Sequence, residues 1–118
     1  MKYSQNIEEL SSIFQLLGIS RIETRIISAL MDKGEMSARR LEKELDVQQP
    51  GISIGTKNLL ERGWIGERTI QVANRGRPQK FYVIVVGLDT IDRELLEKIK
   101  ENEEKITKLR NIILEVNK

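Results

Sequence analysis

The sequence predicts an α+β chain: short helices and a β-hairpin forming a head, followed by one long helical arm. Three observations carry that expectation. Apolar residues recur at helical spacing up to about residue 62. Two β-rich runs then flank a turn of Asn, Gly, Arg and Pro. From Asp89 onward the apolar spacing alternates four and three.

Ile7, Leu10, Ile13, Phe14 and Leu17 give a first helix over 4–17, with Ser4 as cap and Gly18 as stop. Ser20 and Glu23 form the capping-box pair of a second helix, whose apolar face is Ile22, Ile26, Ile27, Leu30 and Met31. Gly34 ends it. An extended piece at Glu35–Met36 leads to Ser37, the N-cap of a short third helix with Leu41 and Leu45 inward. Pro50 suits the first turn of a fourth helix, because the N–H it lacks has no partner there anyway. Ile52, Thr56, Leu59 and Leu60 mark its buried side, and Gly63 its end. Gly51 and Gly55 lower its propensity and admit close approach of a helix, a backbone or a phosphate.

Trp64–Val72 and Lys80–Val86 are the expected strands, and 73–78 the loop between them. Beyond them, Leu95, Ile99, Asn102, Ile106, Leu109, Ile113 and Val116 form an a/d seam with one polar member. A helix of this length has little to bury against alone, so the expectation is a coiled-coil dimer. A helix folded back on its own domain is the alternative. The expected organisation is an N-terminal helix at 1–19, a head at 20–87 and a dimerisation helix at 88–118.

The net charge of +2, from 20 basic and 18 acidic residues, is unevenly spread. Residues 1–32 carry three basic and four acidic groups, residues 33–80 ten and six, and residues 81–118 seven and eight. Arg68, Arg75, Arg77 and Lys80 fall within 68–80, which holds no acid. Such a local basic stripe suits a polyanion. His and Cys are absent, which excludes disulfides, a thiol nucleophile, a His base and thiolate or imidazole metal sites. No cofactor is expected. Carboxylates such as Glu101, Glu103 and Glu104 form a solvated run rather than an acid–base or metal pattern, so no enzyme is expected. Neither a signal peptide nor a membrane span is visible, and a cytoplasmic location is expected.

Residues 20–86 resemble the winged helix-turn-helix regulators of the MarR and ArsR kind, with the closest likeness to the DNA-binding domain of archaeal TrmB-like regulators. Gln48-Gln49-Pro50-Gly51-Ile52-Ser53 is similar to the opening of a recognition helix. Leu59-Leu60-Glu61-Arg62-Gly63-Trp64-Ile65 resembles its exit into the first wing strand. Gly76-Arg77-Pro78-Gln79-Lys80-Phe81-Tyr82 resembles the wing and its return strand. Gly51 stands where the family commonly has a hydroxyl residue, and Gly55 is unusual inside such a helix. The sugar-binding domain of the larger TrmB-like proteins has no counterpart in this sequence, so sugar control is not implied.

The resemblance implies a homodimeric, sequence-specific regulator that binds double-stranded DNA. Its recognition helix would present Gln48, Gln49, Ser53, Ile54, Lys57 and Asn58 to the major groove. Ser37, Arg39 and Arg40 would meet phosphate at a helix N-terminus. Arg40 can equally pair with Glu44 one turn on. Arg75, Arg77 and Lys80 of the wing would reach the minor groove or its phosphates, and Arg68 joins them. Trp64, placed directly after Gly63, packs under the wing rather than stacking a base. The alternatives are an architectural or partition DNA-binding protein and a winged-helix protein–protein module. Control is left to an organic effector, a protein partner or abundance.

Overall fold

The computed structural model describes residues 7–16, 18–71 and 76–117. Ser4, Leu17 and Val72–Arg75 lie outside the described residues, as do the inner-face roles of the Ile7 and Ile13 side chains. The elements run α1 (Ile7–Leu16), α2 (Arg21–Lys33), β1 (Met36–Ser37), α3 (Ala38–Leu45), α4 (Gln49–Arg62), β2 (Ile65–Ile70), β3 (Gln79–Ile84) and α5 (Leu88–Val116). They divide into two compact units, one ending at Val86 and one beginning at Gly87.

Local chemistry sets the helix ends. The Ser20 hydroxyl accepts from the Glu23 N–H at 3.2 Å, and the Glu23 carboxylate accepts from the Ser20 N–H at 3.2 Å. That reciprocal pair satisfies two of the donors that a helix start leaves open. Ser37 caps α3 through the Arg40 N–H at 3.1 Å. α1 and α4 end in glycines at positive φ, Gly18 and Gly63. After each, the next N–H reaches back five residues, Ile19 to Phe14 and Trp64 to Leu59. α3 ends the same way through Val47 and Glu42, but with Asp46 in the left-handed position at φ 52°.

The three-stranded antiparallel sheet has the order β1-β3-β2. Its strands are shorter than 64–72 and 80–86. Trp64 belongs to the cap of α4, so the ladder begins at Ile65 opposite Ile84. Val85 then closes it with one bond to the Trp64 carbonyl at 3.1 Å. The core includes Ile19, Ile26, Leu30, Met36, Leu41, Ile52, Leu59 and Trp64, each at most 2% exposed. Phe14 meets the Trp64 ring edge-on, with centroids 6.3 Å apart. An Arg21–Glu8 ion pair also joins α1 to α2.

Both helical glycines of α4 face protein. A Cβ on Gly55 would lie 2.6 Å from Ile26 Cδ1, so this glycine lets α4 sit tightly on α2. A Cβ on Gly51 would lie 2.7 Å from Val47 Cγ1, so this position points back at the α3–α4 turn.

α5 is one continuous helix of 29 residues. Ile99, Ile106, Leu109, Ile113 and Val116 of its seam are exposed, and Leu95 and Asn102 are half-buried. No helix among the described residues is long and apolar enough to cross a membrane.

Candidate nucleic-acid interface

α4 buries Ile52, Gly55, Thr56 and Leu59 and turns Ser53, Ile54, Lys57 and Asn58 outward. Thr56 belongs inside because its hydroxyl donates to the Ile52 carbonyl at 2.8 Å. At 100° per residue the outward set spans three lines. Gln49 and Ser53 run along one flank, Ile54 and Lys57 down the centre, and Asn58 along the far flank. Gln49 Nε2 donates to Ser53 Oγ at 2.8 Å, fixing one side-chain amide on the near flank. Ile54 is 61% exposed, so burial in the chain does not account for an aliphatic residue there.

The near flank borders an open groove of about 670 Å³. Gln49 from α4, Ser37 and Arg39 from the start of α3, and Arg77 and Lys80 from the wing all line it. Elements distant in sequence therefore converge because β1 pairs with β3, which sets the α3 N-terminus beside the wing. Among the described residues, Glu42 is the one acidic residue lining the groove. Ala38, Gly76, Pro78 and Gln79 line it too. Sequence reading passes over Gln79, which lines the groove at the start of β3.

Several expected members stand elsewhere. Asn58 borders a separate depression with Gly18, Glu23, Glu61 and Arg62. Arg40 is exposed and lies 3.7 Å from Glu44 across one helical turn. Gln48 is the N-cap of α4 but makes no side-chain cap bond. Arg68 is engaged by Glu35, with Nε at 2.7 Å and the outer nitrogen at 2.5 Å from its two oxygens. That bidentate bond holds the Glu35 carboxyl below the usual carboxylate range and raises Arg68. A hydrogen bond from Lys33 at 2.6 Å, helped by attraction to Arg40, likewise lowers Glu44. Trp64 is 1% exposed with the Arg62 guanidinium 5.3 Å from its ring centroid, so a stacking platform for bases is excluded. Arg75 lies outside the described residues. Among those described, no cluster of three or more carboxylates is placed to hold a metal ion.

A model of the MarR family matches residues 17–76, half of the chain. No curated protein matches it. Several solved structures share the fold. A possible transcriptional regulator from Methanosarcina mazei Go1 superposes with a TM-score of 0.68 at 12% identity, covering 84% of this chain and 83% of the other. A transcriptional regulator from Thermotoga maritima gives 0.55 at 23% identity, covering 82% and 66%. A MarR family regulator from Neisseria meningitidis gives 0.52 at 13% identity, covering 84% and 68%.

Proposed function

This chain belongs to the MarR family, whose members are non-catalytic DNA-binding regulators, and from that premise we propose a homodimeric, sequence-specific transcriptional regulator. In this reading α4 lies in the major groove of double-stranded DNA. Gln49 reads a base edge, Ile54 meets a thymine methyl, and Lys57 reaches a phosphate or a guanine. Ser37 and Arg39 clamp a phosphate at the start of α3. Arg77 and Lys80 follow the backbone or the adjacent minor groove. Gln48, Arg40 and Asn58 are peripheral members, and Arg68 contributes only when released from Glu35. The narrower likeness to TrmB-like regulators rests on the recognition-helix and wing strings alone. The protein works in the cytoplasm, where its DNA is.

One observation carries the reading: the groove that unites the near flank of α4, the α3 N-terminus and the basic wing. A monomer offers one recognition helix, so the dimer is assigned to the exposed seam of α5. Two heads would then read half-sites about 34–36 Å apart, or a multiple of that.

Selection from a random double-stranded pool tests this. Enrichment of an inverted repeat is expected. An unenriched pool with retained affinity would identify an architectural binder. Unchanged affinity after Gln49, Ser53 and Lys57 are all replaced by Ala would favour a protein-interaction module.

A further inference from the structure

Among the described residues, eight of the ten large apolar side chains that stand exposed belong to α5. Ile99, Ile106, Ile113, Leu109 and Val116, exposed by 42–78%, follow the seam. Leu96 and Ile112 flank it, while Leu114 lies off it. An apolar stripe of this extent needs a cover.

The order of residues on the seam says which. Ile99, Ile106 and Ile113 are the a positions, and Leu95, Asn102, Leu109 and Val116 the d positions. Isoleucine at a with leucine at d is the pattern of parallel two-stranded coils, and the seam has isoleucine at all three a positions and leucine at two of the four d positions. Asn102 discriminates further. An antiparallel pair faces a against d, and every a position of the seam is isoleucine. Any antiparallel alignment within the seam therefore sets Asn102 against an isoleucine, where its amide has no partner. An in-register parallel pair sets Asn102 beside its own copy, where the two amides hydrogen-bond to each other.

Charge agrees in one layer and opposes in another. In parallel register, Lys98 at g faces Glu103 at e of the second copy, which is attractive and occurs twice. Lys105 faces Arg110 of the second copy, which is repulsive and likewise occurs twice, and exposed pairs of either sign weigh little. Setting Glu103 beside the second copy's Arg110 in an antiparallel pair would place Asn102 against the second copy's Ile113.

We infer that α5 pairs with α5 of a second copy as a parallel, in-register, two-stranded coiled coil fixed by Asn102. The inference rests on the homodimer reading above and adds its direction. Both Gly87 junctions then lie at the same end of the coil, whereas an antiparallel pair would hold them tens of ångströms apart.

The chain has no Cys, so single labels are straightforward. Glu97, Glu104 and Asn111 are exposed f positions away from the seam. Nitroxides on Glu97→Cys, Glu104→Cys and Asn111→Cys, measured by pulsed dipolar spectroscopy beside sedimentation equilibrium, test the inference. The expected result is a dimer with the same separation at all three sites. In an antiparallel pair each label moves from its mate by ~3 Å for every residue from the crossing point. Separations that differ among the three sites in a dimer overturn the parallel coil and leave the homodimer standing. A trimer or tetramer also overturns the parallel two-stranded coil. A monomer at micromolar concentration overturns both.

Discussion

Gln49 and Ser53 show how one side-chain hydrogen bond can prepare a contact. Ser53 Oγ takes one N–H of the Gln49 amide. Under the proposed function, the other N–H and the carbonyl oxygen remain for the N7 and N6 edge of an adenine. Replacing Gln49 with Ala is expected to flatten the preference at one base position by about 1–3 kcal/mol and leave the others intact, as read by competition among single-base site variants. Arg77→Ala should instead weaken all sequences alike and lower the slope of log affinity against log salt by about 1. An Arg77 variant that changed base preference would exchange these roles. Glu35 supports a prediction of another kind. Its carboxyl is held low by Arg68 when folded. Such a group contributes stability that is fully present above its unfolded pKa and is lost as pH falls through the lower folded value. Glu35→Gln should therefore lower stability at neutral pH and make the acid limb shallower. Urea midpoints followed by Trp64 fluorescence at several pH values measure this. The same change frees Arg68, so affinity for random DNA should rise at low salt. A pH profile identical to the parent would remove the ion pair from the stability argument.

Helix ends were legible in the sequence because they depend on neighbours. Ser20 with Glu23, Ser37 and the three glycines at 18, 34 and 63 mark local hydrogen-bond arrangements that a short string specifies. Replacing Ser20 with Ala should cost about 1 kcal/mol by loss of the cap, seen as a lower urea midpoint with an unchanged slope. Gly63→Ala should cost about 1–2 kcal/mol, since a Cβ disfavours its left-handed backbone. Equal midpoints for either variant and the parent would contradict these assignments. Asp46 was not legible as the end of α3, because nothing local distinguishes it from an ordinary surface carboxylate. The start of the first strand was also missed, since the Trp64 N–H is taken by the α4 cap and only its carbonyl meets the hairpin, through the Val85 N–H. The interface divides in the same way. Its polar face on α4 follows from helical periodicity, and its basic wing from composition. The partnership of Arg68 with Glu35 joins residues 33 positions apart, and no spacing rule reveals it. The outward flank of Asn58 and the groove position of Gln79 depend equally on how α4 and β3 pack.

Across the whole molecule, the net charge of +2 conceals a division of labour. The basic excess lies in residues 33–80, which hold the groove, while the residues before and after are each slightly acidic. Under the proposed function, attraction to a polyanion is therefore concentrated on the face that carries the base-reading side chains. What α5 adds under the proposed function is valency. Ile106 is 57% exposed at the middle of the seam, within the unit that begins at Gly87. Ile106→Glu places like charges opposite each other in a paired seam without disturbing the core around Trp64. Sedimentation should then report a monomer, while Trp64 fluorescence and its urea midpoint keep the head's parental values. Joined heads bind their second half-site at the high effective concentration set by the coil, so affinity for a two-half-site duplex should fall about 10²–10⁴-fold. Affinity for a duplex with one half-site should change little, because each head keeps its groove. A variant that stays dimeric and binds the full site as tightly as the parent would remove α5 from self-association.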